Sequence, residues 1–129
     1  MTRSGFCGDV ALVQCTSPKL DSEWITEGFK HLSHSPIVAT SAMLTFKPTA
    51  IYHLVDNVYV HTASSLPPAS VARQRLPPSV RITGAVTCFH TDALDHKSIF
   101  DDGVLYPLIV GEEDSLDVDT KEDLSRALA

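Results

Sequence analysis

Short apolar runs alternate with turn-forming residues along this chain, and their spacing predicts most of its elements. Val10-Ala-Leu-Val-Gln14 is a continuous apolar run bounded by turn residues, the pattern of a strand buried on both faces in a parallel sheet. It arrives after only nine residues, with no preceding element to cover it. Thr16-Ser17-Pro18 ends the strand, and Asp21-Ser22-Glu23 opens a helix with capping and acidic side chains in its first turn. Ile25, Phe29 and Leu32 fall on one helix face, Lys30 and His31 sit near the end, and Pro36 stops any continuation. Pro36-Ile-Val-Ala-Thr40 reads as the next strand. Strand, helix and strand in this order make a βαβ unit, and the class is α/β.

The middle of the chain changes character. Ala50-Ile-Tyr-His-Leu-Val55 and Val58-Tyr-Val-His61 flank Asp56-Asn57, a two-residue turn, so a β-hairpin is expected. Ser64-Ser65-Leu66-Pro67-Pro68 is a loop, and Pro77-Pro78 punctuates again. Such a stretch is either an arm that packs on another subunit or a surface hairpin of its own domain. Val80 to Phe89 is a strong strand, with Gly84 in its interior pointing to a close backbone approach. Val104 to Val110 is a less regular strand. Thr120-Lys-Glu-Asp123 has the form of a capping box with Asp in the Glu/Gln position, and Leu124 and Leu128 stand one helical turn apart behind it. There are no internal repeats or low-complexity segments.

Composition narrows the class. With 129 residues, 43% of them hydrophobic and 20% charged, the chain has enough apolar residues for one globular core and too few residues for two. No apolar run approaches the roughly 20 residues of a membrane span, and the N-terminal stretch does not read as a secretory signal. A net charge of −6 without Lys/Arg blocks argues against electrostatic nucleic-acid binding. Cys7, Cys15 and Cys88 are odd in number and share no Cys-x-x-Cys spacing, so neither a disulfide framework nor a zinc ribbon is expected. Cys15 and Cys88, at the ends of apolar runs, read as small buried hydrophobes, and a reducing cytoplasm suits such a chain.

The most informative chemistry lies in Ser115-Leu-Asp-Val-Asp-Thr120. If extended, this segment turns Asp117 and Asp119 to one face with Cα atoms roughly 6.5–7 Å apart. Two carboxylates just before a helix make an oxygen-rich site for a hard cation, and magnesium fits because it takes one or two carboxylates plus water and phosphate oxygens. The same acids could instead cap the helix and complement its dipole. Gln14, Thr16 and Ser17 end the first strand, where ligands collect in open α/β sheets. Arg73-Gln74-Arg75 and Arg81 gather three of the ten basic residues within nine positions, suited to an anion or to solvating a loop. His31 and His34 fall at a helix end with no third ligand nearby. There is no Gly-x-Ser-x-Gly elbow, no His-Glu-x-x-His and no Gly-rich phosphate loop.

In this order the pieces resemble the CMP-N-acetylneuraminate synthetases, the cytidylyltransferases that activate sialic-acid-type sugar acids. Val13-Gln-Cys-Thr-Ser-Pro18 is similar to the family's Leu-Gln-Pro-Thr-Ser-Pro, and Arg73-Gln74 with Leu76-Pro77 to its Arg-Gln segment. Arg81-Ile-Thr-Gly-Ala-Val86 resembles Arg-x-Asn-Gly-Ala-Ile, and Ser115 to Leu124 resembles Ser-x-Asp-Ile-Asp-Thr-x-Glu-Asp-Leu. The resemblance implies the C-terminal portion of a three-layer Rossmann-like nucleotidyltransferase domain with a β-hairpin dimerisation arm, here about 43–72. It implies transfer of CMP from CTP to a nonulosonic sugar acid, release of pyrophosphate, a magnesium requirement and a homodimer. By position, Asp117 and Asp119 would hold the metal, while Gln14, Arg73, Arg81, Thr83, Gly84 and Phe100 would surround the sugar acid. No nucleic acid or membrane partner is implied.

The sequence departs from that pattern in two ways. It starts where about the first two-fifths of a family member should already have passed, including the Gly- and Lys-containing loop that grips the CTP phosphates. Positioning supplies much of the rate in such reactions, so the isolated chain is expected to turn over weakly or not at all. An inactive sugar-acid-binding or dimerising subunit is the alternative. Thr83 also replaces the family Asn, Thr87 the usual Tyr, and Leu20 a common Arg, which alters the sugar pocket.

Overall fold

A computed structural model describes residues 5–56, 58–61, 70–95 and 105–129. The elements run β1 (Asp9–Val13), α1 (Ser22–His31), β2 (Ile37–Met43), β3 (Tyr52–Val55), β4 (Val58–His61), β5 (Val80–His90), β6 (Leu105–Ile109) and α2 (Lys121–Leu128). Turns of 3-10 helix occupy Pro48–Ala50, Arg73–Arg75 and Thr91–Asp95. The chain forms two compact units, Met1–Ala42 with Ile82–Ala129, and Met43–Arg81.

The first unit is built on a mixed four-stranded sheet of order β1-β5-β2-β6, in which β1 is antiparallel to β5 and β2 is parallel to β6. α1 starts where its cap predicts: Asp21 Oδ1 accepts from Glu23 N at 2.9 Å. Trp24 and Ile25 of α1 and Leu32 at its C-cap pack with Leu20 against Val38, Val86 and Cys88, with Ala11 and Leu108 beside them. Side chains alternate across a strand, so Ile37 and Phe89, the neighbours of Val38 and Cys88, form a second cluster on the other face with Ala93, Val10 and Leu105. Gly28 is buried, and a Cβ there would sit 2.5 Å from Cys88 Sγ. The helix approaches the sheet at this glycine, which leaves Phe29 partly exposed rather than at the centre of the buried face.

Three expectations need correction. β1 is an edge strand antiparallel to β5, not a doubly buried parallel strand, and Leu12 and Val13 are 56% and 45% exposed. The β1-α1-β2 order holds, but β5 is inserted between the two strands, and the parallel pair is β2 with β6. Cys15 is exposed; only Cys88 behaves as a buried hydrophobe, and burial, with the Asp9 charge as a second cause, pushes its thiol pKa up. All three cysteines are free.

The second unit contains the expected hairpin. β3 and β4 are antiparallel, with Val55 opposite Val58. Asp56 has φ +50°, the left-handed conformation that such turns demand and that Asp tolerates. Leu44 N donates to Ser79 O at 2.9 Å, joining the two ends of this unit. Asn57, the Ser64–Pro68 loop, Phe100 and Val104 lie outside the described residues.

Candidate functional site

The acidic motif and the end of β1 meet through the backbone. Gln14 N donates to Ala85 O at 3.0 Å, the last rung alongside β5 before the chain turns away. Two tight turns follow, Ser17 N to Gln14 O at 3.4 Å and Leu20 N to Ser17 O at 3.3 Å. Val118 N then donates to Thr16 O at 2.9 Å. Residues with Asp117 and Asp119 on either side of Val118 are therefore pinned two positions beyond Gln14. Ser17 and Ser115 are both buried at this junction.

Within that segment the two acids differ. Asp117 is half-buried, and its Oδ1 is fully enclosed without a hydrogen-bond partner. Asp119 is exposed, and its backbone N–H is a minor cause of the lowered pKa of the Asp123 carboxyl at the start of α2. Thr120 caps that helix: its Oγ1 accepts from Asp123 N at 3.2 Å, and Thr120 N donates to Asp123 Oδ2 at 3.0 Å. The Thr120 hydroxyl, bonded to the Asp123 carboxylate at 2.6 Å, is the main reason that carboxyl is held below its ordinary pKa. The capping role is thus taken by Asp123, and Asp117 is left with an oxygen to spare.

Gly84 makes the predicted close approach. It has φ +74°, a conformation that favours glycine, and a Cβ there would lie 3.2 Å from Gln14 Nε2. Gln14, just past the end of β1, and Gly84, in the interior of β5, are brought together. Thr83 Oγ1 donates to Thr40 Oγ1 at 2.8 Å, and Thr40 Oγ1 in turn accepts from Val86 N at 3.1 Å. The Thr83 proton is therefore committed inside the sheet, which leaves its oxygen as an acceptor. Thr40 was not singled out in the sequence. The available signal was a hydroxyl at the end of an apolar strand, which must find a partner when fully buried.

Arg73 and Arg81 belong to the second unit. Arg73 is exposed, and its Nη2 donates to Leu44 O at 3.4 Å. It borders a hollow of about 260 Å³ with Met43, Phe46, Gln74, Leu76 and Pro77. Arg81 is half-buried on β5. Phe100 lies outside the described residues.

Among the described residues no three or more His, Cys, Asp or Glu side chains gather into a metal-holding group. Magnesium needs only one or two protein carboxylates, and the orphaned Asp117 Oδ1 is a hard oxygen of the kind it takes. His31 does not point to metal chemistry: its ring stacks on Tyr106 with centroids 4.2 Å apart. Among the described residues no helix is long and apolar enough to cross a membrane. No protein-family model matches the chain, and no curated protein matches its sequence.

Proposed function

We propose that this chain is a nucleotidyltransferase-like protein of the CMP-N-acetylneuraminate synthetase type, the C-terminal portion of a three-layer Rossmann-like domain. Its chemistry is transfer of CMP from CTP to a nonulosonic sugar acid in the cytoplasm, with pyrophosphate as leaving group. One observation carries the reading: the motif that contains Asp117 is bonded to the turn after Gln14, and Asp117 Oδ1 is enclosed with no partner. A buried acceptor without a donor costs stability, and a bound cation or ligand would remove that cost.

In this reading Asp117 and Asp119 hold magnesium, which when bound neutralises charge developing on the reacting phosphate. Gln14, braced against Gly84, offers its amide to the sugar acid at the strand end. Arg73 and Arg81, in the second unit, carry planar guanidinium groups of the kind that recognises a carboxylate. Residues 43–72 form the arm of a homodimer. The 129 residues contain no Gly-rich phosphate loop, so CTP is gripped weakly and turnover is negligible. That lack also favours the second reading, a sugar-acid-binding or dimerising subunit without turnover.

Calorimetry tests the metal assignment. Magnesium-dependent binding of CTP or of a CMP-sugar acid should vanish in Asp117→Asn/Asp119→Asn while the circular dichroism spectrum is unchanged. An equal magnesium response in the double variant removes the assignment. Robust pyrophosphate release from CTP by the purified chain would refute the claim of negligible turnover. Calorimetry against sugar acids alone, with sedimentation of the chain, separates a binder from a dimerising subunit.

A further inference from the structure

Gly84 bends β5 just where that strand leaves β1, and one buried side chain of β2 reaches across to the bend. Gln14 N donates to Ala85 O and Thr91 N to Gly8 O, both at 3.0 Å, so the odd-numbered residues of β5 bond to β1. In an antiparallel ladder the alternate residues turn their N–H and C=O the other way. Those of Val86 therefore face β2, the neighbour of β5 on its other side. There they meet Thr40, whose Oγ1 accepts from Val86 N at 3.1 Å and donates to Val86 O at 3.3 Å. The same oxygen accepts from Thr83 Oγ1 at 2.8 Å. A hydroxyl has one proton to give and two lone pairs to offer. At Thr40 all three are used, and the residue is fully buried. Ser41, equally buried beside it, spends its hydroxyl on Ala39 O, two residues away.

These bonds straddle Gly84 and Ala85. Thr83 is held before the glycine and Val86 after it, both by one atom of β2, while Gln14 N holds Ala85 from β1. Glycine occupies positive and negative φ at similar cost, so Gly84 does not choose +74° by itself. The choice comes from its flanks. Removing the Thr40 hydroxyl takes a partner from Val86 N–H and from Val86 C=O and frees the Thr83 proton, at a place closed to water. The bend in turn sets the room beside Gln14, since a Cβ at Gly84 would stand 3.2 Å from Gln14 Nε2. A hydroxyl in the middle of the sheet is thus linked, through two short steps, to an exposed amide beyond the end of β1.

We infer that Thr40 is a positioning residue: its hydroxyl fixes the left-handed bend at Gly84 and, through the bend, the place of the Gln14 side-chain amide. The consequence for sugar-acid binding rests on the nucleotidyltransferase reading, whereas the placement of Gln14 does not. Nuclear magnetic resonance of the full chain reads both ends, with scalar couplings reporting φ at Gly84 and the side-chain NH2 signals reporting Gln14. Thr40→Val, close in shape but without the hydroxyl, should take Gly84 out of the left-handed region and move the Gln14 signals to those of a free glutamine side chain. Thr40→Ser, which keeps the hydroxyl, should hold both at their wild-type values. Thr83→Val cuts one of the three bonds and should move both signals in the same direction, which decides the matter if Thr40→Val does not fold. A wild-type Gly84 without positive φ, a folded Thr40→Val or a Thr83→Val with wild-type signals, or a Thr40→Ser that behaves as Thr40→Val overturns the inference. Calorimetry with N-acetylneuraminate as probe tests the consequence. Gln14→Ala and Thr40→Val should each weaken binding about tenfold, the worth of roughly one hydrogen bond, and the double variant should bind no more weakly than Gln14→Ala. Full-strength binding by Gln14→Ala overturns the assignment of Gln14 to the sugar acid, and the Gly84 and Gln14 signals then decide the role of Thr40 by themselves. Full-strength binding by Thr40→Val, with binding weakened in Gln14→Ala, overturns the inference.

Discussion

α1 and α2 use the same local devices and meet different fates. Each has an N-cap side chain bonded to a first-turn N–H, at least one acid in the first turn and at least one basic residue in the last. Each carries an i,i+3 ion pair on its surface, Glu27 with Lys30 and Asp123 with Arg126, of the exposed kind that contributes little. Yet α1 buries Gly28 against Cys88, whereas α2 leaves Leu124 and Leu128 49% and 79% exposed. A cap is made by residues two or three positions apart, and so forms wherever the chain needs to start a helix. Burial of the apolar stripe depends on what other parts of the chain bring to it. The two helices are equally well begun and unequally held.

The largest effect that sharpens this comparison is expected at the contact α2 lacks. Gly28→Ala puts a Cβ into the space of Cys88 Sγ and should destabilise the first unit by about 1–3 kcal/mol in urea unfolding. Cys88→Ala in the same chain should relieve much of that cost, and a purely additive double variant would mean that the two residues do not collide. Next come the caps. Asp21→Ala and Thr120→Ala should each remove about 1 kcal/mol of helix stability. For α1 the loss should appear in the global unfolding midpoint. For α2 it should appear as faster amide exchange over 121–128 with the midpoint unmoved. A midpoint shift of equal size in both variants would erase the distinction between the helices.

A smaller effect is expected with pH. The folded Asp123 carboxyl is held below its ordinary value of 3.8 by the Thr120 hydroxyl. Its contribution is therefore complete above that ordinary value and is lost as pH falls through the lowered folded value. Protection of α2 amides should decline over that acid window in the native chain and not in Asp123→Asn. Smallest of all, Leu128→Ala should change stability by less than about 0.5 kcal/mol, because that side chain is already in water. A loss of 2 kcal/mol or more would show that α2 is covered in solution.

Much of the architecture was legible in the residues. Both helix starts, the β3–β4 hairpin pairing, the long β5 strand and the close approach at Gly84 appear where the pattern put them. These features depend on turn chemistry, capping or glycine conformation, all of which act over a few neighbouring positions. Of the candidate site, the residues around Gln14 and the acidic motif were found together at the strand end. The division of labour between the acids was not readable. Asp117, Asp119 and Asp123 look alike in the sequence, and only the path of the chain past Thr16 enclosed one while the Thr120 hydroxyl engaged another. Thr40 was missed for a similar reason, since its partners Thr83 and Val86 are more than forty residues away.

Val10–Val13 and Ile37–Thr40 are nearly interchangeable as short, mostly apolar runs, and such runs mark both as strands. A run carries no record of which strand lies alongside. That β5 would enter between β1 and β2, leaving Leu12 in water and Val38 fully enclosed, rested on pairings such as Val13 with Val86 and Ile37 with Leu105. Such pairings join segments more than sixty residues apart. Their energies come from packing and backbone hydrogen bonds that exist only once the chain has closed on itself, so no local window of residues can encode them.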